Sequence, residues 1–263
     1  MKNGIYIKYA NRTKMRMFPF MRLKKESFIL RELNKKKLQN FRVPKIISMQ
    51  SDRIVMEKIS PDGKPLKREA LQVASELENI KICLPISIKL FNFFFDSSEF
   101  RIVYMATLSI SKIGLKGVFL TLSLIYKLRK SQKKVSKKFL HNDGIYYEIL
   151  KENNTLYLVD LESSKYECRW VLKDIISIYY IKNKKINLNY LRKKAKKIPL
   201  LNIKSQVRLF LLEYFFVRYV YYKEQFRFNV LCDKSFDAFY QKQQGFDCSL
   251  TVNGKYFQKS KQN

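Results

Sequence analysis

One histidine, His141, and one tryptophan stand in 263 residues, with four cysteines and seven glycines. These scarcities exclude several kinds of chemistry. With a single histidine, and with Cys83, Cys168, Cys232 and Cys248 in no CxxC pair, no zinc site can be built. The cysteines read as reduced cytosolic thiols rather than a disulfide framework. No Gly-rich loop and no internal repeat is found. Long apolar runs are missing too. The stretch 103–128 is broken by Lys112, Lys116 and Lys127, and its uncharged core, 117–126, is too short to cross a bilayer. Met1-Lys2-Asn3-Gly4 leads into a short strand, so no signal peptide is expected. Acidic residues are few: 22 Asp+Glu face 53 Lys+Arg, a net charge of +31.

What is present is a globular composition, 46% hydrophobic and 29% charged. At this length the chain can bury a core in one large domain or two small lobes. Its positive field favours a polyanion: nucleic acid, an anionic membrane surface or a phosphorylated glycolipid. Part of the Lys excess belongs to a general bias, since Ile, Asn, Phe and Tyr are abundant as well. No helix-turn-helix, zinc or RRM-like signature supports specific nucleic-acid binding.

Residues 4–9 (GIYIKY) alternate as a strand carrying Lys8. A helix is predicted over 24–38, with Ile29, Leu30 and Leu33 as a partial stripe and Glu26 in its first half. Residues 45–48 and 53–59 predict two antiparallel strands turning at Gln50-Ser51-Asp52. Ser60-Pro61-Asp62-Gly63 is a strong break. Three parts are expected: 1–60, a small strand-helix-strand-strand unit; 61–232, mainly helical; and 233–263, a polar tail. Helices are predicted over 66–77, 102–130, 171–181, 189–197 and 206–222. Strands over 146–150 and 156–159 would flank the turn Asn153-Asn154, whose residues tolerate a left-handed backbone. A further hairpin could form around Asn253-Gly254.

The chemistry concentrates where acids sit at strand edges. His141-Asn142-Asp143 and, beyond the hairpin, Asp160-Leu161-Glu162 place two aspartates as phosphoryl transfer needs them. One would orient an acceptor hydroxyl and the other would hold the metal on ATP. His141 reads as a structural brace for its loop. Lys8 and Glu26 read either as a functional pair or as an exposed strand lysine and an exposed helix acid. Asp160 could also be a simple cap at a strand end.

The order of motifs resembles the protein-kinase-like superfamily, and within it the bacterial lipopolysaccharide core kinases that phosphorylate Kdo or heptose. The resemblance covers about residues 4 to 200. It rests on Tyr6-Ile7-Lys8, Lys25-Glu26 with Leu30 and Leu33, Val43-Pro44-Lys45, Val55-Met56-Glu57-Lys58-Ile59, Leu140-His141-Asn142-Asp143, Leu158-Val159-Asp160-Leu161-Glu162, Arg169-Trp170 with Lys173-Asp174-Ile175 and the Tyr179-Tyr180 pair, and Asn189-Tyr190-Leu191-Arg192.

The resemblance implies an α+β, two-lobed fold with a reduced N-terminal lobe and a mainly helical C-terminal lobe. It implies ATP and Mg²⁺ as cofactors. It assigns Lys8, Glu26 and the hinge residue Glu57 to the nucleotide, Asp143 to catalysis and Asp160 to the metal. It assigns His141, Glu162, Trp170 and Asp174 to structural support, and for Trp170 and Asp174 a plain core role is the simpler reading. Two positions depart from the superfamily pattern. Only seven residues precede Lys8, too few for a two-strand Gly-rich lid, so either the lid is missing or the gene start lies upstream. Glu148 stands where protein kinases carry the Asn for a second metal; it is either a metal ligand or a surface residue on the strand.

The implied activity is ATP-dependent phosphorylation of a sugar hydroxyl of the lipopolysaccharide inner core. The implied place is the cytoplasm, peripheral on the inner face of the bacterial inner membrane, with an anionic glycolipid as acceptor. The basic runs 127–138 and 192–197 would attract such an acceptor, or are solvated faces. A kinase for another small molecule, and a kinase-like binding module that has lost turnover, are the alternatives.

Overall fold

The computed structural model describes residues 4–10, 18–95, 97–131, 135–183, 186, 188–195 and 200–222. The expected tail, the Asn253-Gly254 hairpin, Cys232 and Cys248 lie outside them. The fold is α+β and divides into two compact units, Met1–Asn92 with Lys137–Glu167, and Phe93–Ser136 with Cys168–Asn263. Residues 61–92 and the stretch from His141 to Glu162 thus group with the first sixty residues.

The first unit starts from a three-stranded antiparallel sheet: Ile5–Tyr9 (β1), Ile46–Met49 (β2) and Arg53–Glu57 (β3), in the order β1-β3-β2. The period-2 alternation of β3 buries Ile54 and Met56. Helix Pro19–Asn34 (α1) buries Ile29, Leu30 and Leu33. It begins five residues before the expected start, with Pro19 preset for a first helical position. It ends early because the Asn34 amide donates to both Leu30 O and Pro44 O, at 3.0 and 3.1 Å. Helix Lys67–Asn79 (α2) buries Ala70, Val73, Ala74 and Leu77 on one face, and Glu69 accepts the Leu66 N–H at its start. Helix Ile86–Phe94 (α3) was not expected, since its apolar residues show no clean period.

Strand Lys138–Leu140 (β4) leads into the His141 loop. Ile149–Glu152 (β5) and Thr155–Leu158 (β6) form the expected hairpin, with Glu152 opposite Thr155. Asn153 and Asn154 both take positive φ, 49° and 61°, the two-residue turn that Asn accommodates. The strand expected from residue 146 starts only at Ile149: Tyr147 and Glu148 donate their N–H groups to Gly144 O and Ile145 O in a helical turn. Lys165–Glu167 (β7) pairs with β4. Arg42 joins the hairpin through paired 2.8 Å backbone bonds to Leu156 O and from the Leu158 N–H.

The second unit contains Ser98–Leu108 (α4), Ile110–Ser131 (α5), Lys173–Asn183 (α6), Leu188–Lys194 (α7) and Leu200–Tyr222 (α8). The single helix expected over 102–130 is two, because Ser109 turns its hydroxyl onto Met105 O and ends α4. Gly114, at φ 65° and ψ 172°, then interrupts α5. Helices α4, α5 and α6 pack on α8, which buries Ile203, Val207, Leu211 and Phe216. Cys83 and Cys168 are free thiols. Among the described residues no helix is long and apolar enough to cross a membrane.

Candidate active site

Along β1, whose other side chains are exposed, Lys8 turns inward. Lys8 is therefore not an exposed strand lysine. Its ammonium lies 2.6 Å from Glu26 Oε2, 2.5 Å from Asp160 Oδ1 and 3.4 Å from Glu162 Oε2. Glu26 arrives from the buried side of α1 and is itself 1% exposed. Asp160 follows β6 with φ 52°, a left-handed backbone that is strained for an aspartate. The short 3₁₀ turn Leu161–Ser163 then reverses the chain and returns Glu162 to Lys8.

Asp143 is exposed, between two positive-φ residues, Asn142 at 68° and Gly144 at 61°. The Ser163 hydroxyl donates to Asp143 Oδ2 at 3.2 Å. His141 is fully buried, and its Nε2 lies 3.0 Å from Val159 O. A carbonyl only accepts, so the imidazole carries its proton on Nε2. One bond from His141 thus ties the loop of Asp143 to the residue before Asp160.

A cavity of about 980 Å³ opens beside this cluster. One part of its wall is apolar, with Ile7, Met56, Ile59, Leu150 and Val159. Lys8, Glu26, Glu148 and Asp160 make it charged elsewhere. Glu57 also lines it, and its carboxylate accepts the Lys45 N–H at 3.3 Å. Glu148 stands in the turn before β5 and is half-buried, not a surface residue on the strand.

Trp170 and Asp174 belong to the second unit. Trp170 is 1% exposed and donates its indole N–H to Glu99 at 2.8 Å; Asp174 is buried in the first turn of α6. Ser163 was missed in the sequence. A lone serine three residues after Asp160 carries no signal until the 3₁₀ turn folds it back.

The electrostatics are those of acids gathered around Lys8. Burial alone would lower the Lys8 pKa, but Glu26, Asp160 and Glu162 together hold it well above the usual lysine range. Burial pushes Glu26 up to about 7, with Lys8 opposing and Asp160 and Glu162 adding to the rise. Glu148 is pushed up to about 8, first by burial and then by Asp160 and Asp143. Carboxylates of Glu26, Asp160 and Glu162 crowd around the Lys8 ammonium, and such a set also suits a divalent cation. Carboxylate oxygens of Glu26, Asp160 and Glu162 lie within 4.8 Å of one another. A hard, all-oxygen donor set of this kind fits Mg²⁺.

No protein-family model matches the chain, and no curated protein matches it. Similar solved structures include a thermostable mutant of the aminoglycoside phosphotransferase APH(4)-Ia in ternary complex with ADP and hygromycin B. That match has a TM-score of 0.49 and 9% identity, over 92% of this chain and 84% of the other. A GDP and kanamycin complex of APH(2'')-IIia matches with TM-score 0.48 and 11% identity, over 92% and 87%. A streptomycin–ATP complex of APH(2'')-IIa matches with TM-score 0.43 and 14% identity, over 80% and 94%. Similarity this distant transfers neither a substrate nor a residue's role.

Proposed function

We propose that this protein is an ATP-dependent phosphotransferase of protein-kinase-like design that phosphorylates a hydroxyl group. The observation that carries the reading is the Lys8 ammonium, gripped by Glu26 of α1 and Asp160 of the hairpin beside a large, partly apolar cavity. The apolar wall suits a planar base, and the charged part suits a polyphosphate. Lys8 would bind the α- and β-phosphates and Glu26 would fix its direction. Asp160, with Glu162 or Glu148, would hold Mg²⁺, which supplies neutralisation of charge on the β- and γ-phosphates. Glu57 would meet the nucleotide beside the apolar wall. The exposed Asp143, steadied by Ser163 and by the His141 brace, would accept a hydrogen bond from the acceptor hydroxyl. The hydroxyl oxygen then bonds to the γ-phosphorus, the bond to the β-phosphate oxygen breaks, and ADP leaves while the hydroxyl proton passes to Asp143.

In its finer form the acceptor is a sugar hydroxyl of the lipopolysaccharide inner core, Kdo or heptose, met at the inner face of the bacterial inner membrane. The net charge of +31 and the basic runs 127–138 and 192–197 support an anionic glycolipid. The test is transfer of radiolabelled γ-phosphate to Kdo–lipid A, to a heptosylated acceptor and to neutral or cationic aminosugars. Label on the core sugars, lost in Asp143→Ala and Asp160→Ala, is the expected result. Label on the aminosugars alone would replace the lipopolysaccharide reading with another small-molecule kinase. No thermal shift with Mg-ATP and no transfer to any acceptor would overturn phosphotransfer and leave a binding module.

A further inference from the structure

Helix α5 has apolar residues on both of its faces. One side is packed: Val118, Thr121, Leu124, Ile125 and Leu128 are buried in the second unit. Beyond the break at Gly114, Leu115, Phe119, Leu122 and Tyr126 follow at spacings of four, three and four, so they share one line along the helix. They are 65%, 68%, 41% and 66% exposed. Lys116, Lys127 and Lys130 flank that line, and Arg129 extends it. All four basic residues are exposed. No Asp or Glu occurs anywhere between Glu99 and Asp143. A helix of this kind presents a narrow apolar ridge whose charged neighbours are all positive.

We propose that the outer face of α5 docks on an anionic lipid bilayer, with Leu115, Phe119, Leu122 and Tyr126 entering the headgroup–acyl boundary and the flanking Lys and Arg side chains meeting the lipid phosphates. Three observations select this occupant. A ridge of contiguous exposed Leu, Phe and Tyr needs an apolar partner, and a bilayer supplies one beneath a negative surface. A second copy of the chain brings the same positive charge to the same face and is repelled. A nucleic acid satisfies the cations but gives Leu115 and Leu122 no apolar surface to enter. The cationic border adds attraction to the anionic leaflet for each Lys or Arg near its surface.

The docking shares only the positive charge with the glycolipid-acceptor reading, and its test is independent of phosphotransfer. Full-length protein is floated with vesicles of phosphatidylcholine alone and of phosphatidylcholine with phosphatidylglycerol. Binding is expected on the anionic vesicles only, and to weaken with salt. Phe119→Ser combined with Leu115→Ser should reduce the partition coefficient by about tenfold or more, since two exposed apolar side chains no longer enter the boundary. Lys127→Gln with Lys130→Gln should reduce it by roughly tenfold. These positions are exposed, so circular dichroism and melting temperature should stay at wild-type values. Asp143→Ala should bind vesicles as wild type does, which separates this result from the fate of the kinase reading. Equal binding of wild type and both double variants would overturn the proposal. So would absence of binding to anionic vesicles, whether the ridge instead supports a dimer in light scattering or the basic border instead binds duplex DNA.

Discussion

Two buried ion-pair clusters, one in each unit, follow opposite rules. In the first unit Lys8 is shared among Glu26, Asp160 and Glu162. In the second a single acid, Glu213, is shared between Lys173 at 2.6 Å and Arg101 at 3.4 Å. Around Glu213 the polar groups are locked: Gln206 accepts the Leu172 N–H, and Glu99 accepts the Trp170 indole N–H. The Lys8 cluster instead opens on the cavity of about 980 Å³. Both clusters carry desolvation costs. Acids crowded beside open space leave room for a further cation. An acid matched by two cations inside a helical core holds the structure together.

The sharpest way to break this comparison is to remove Asp143. Asp143→Ala should lower phosphoryl transfer by about 10²–10⁴-fold, measured as kcat, with little change in melting temperature because the side chain is exposed. Glu213→Ala should do the reverse. It removes the carboxylate that Lys173 and Arg101 share and should cost about 3–5 kcal/mol in denaturant unfolding, while nucleotide affinity per folded molecule is unchanged. If Glu213→Ala weakened Mg-ATP binding by the folded fraction, the contrast between the clusters would be lost.

A smaller effect should appear in the pH dependence of stability. Glu148 rises from 4.5 to about 8, so between those values the folded chain holds a proton that the unfolded chain has lost. Stability from this group is fully present below about pH 4.5 and is lost as pH rises through 8. Glu148→Gln should flatten that decline, and it should stabilise the metal-free protein at pH 8.5 by about 1 kcal/mol or more, since one pKa unit corresponds to about 1.4 kcal/mol. Added Mg²⁺ should flatten the wild-type profile in the same direction; a wild-type curve that is level from pH 5 to 9 would refute the raised Glu148 carboxyl. Smallest of all, Asn154→Ala at φ 61° should cost about 1 kcal/mol by straining the hairpin turn, with no change in nucleotide affinity.

Much of the site could be read along the chain because its parts are local. Acids are scarce, so Glu26 stands out in a basic helix, and Asp143 and Asp160 stand out at the ends of apolar runs. The Asn153-Asn154 turn was legible because only a few residue types accept a left-handed backbone. Other parts were not. Glu148 looked like a strand residue until the turn at 145–148 placed it beside the two aspartates' field. Ser163 and Asp143 are twenty positions apart and meet only through a 3₁₀ reversal. The interruption of the long helix at Ser109 and Gly114 had no Pro to announce it.

By itself the sequence determined the chemical inventory: four cysteines in no CxxC pair, one histidine, a strong positive charge, a lysine on a strand and isolated acids at strand ends. It determined most elements too, because period and turn chemistry act over a few residues. The tertiary structure alone decided that Lys8, from position 8, closes on Asp160, from position 160. It decided which acids are buried enough to be pushed up, and which apolar residues of α5 face solvent rather than core. The reason is physical. Propensity is a property of neighbours in the chain, whereas pairing, desolvation and exposure depend on what other segments bring to the same place.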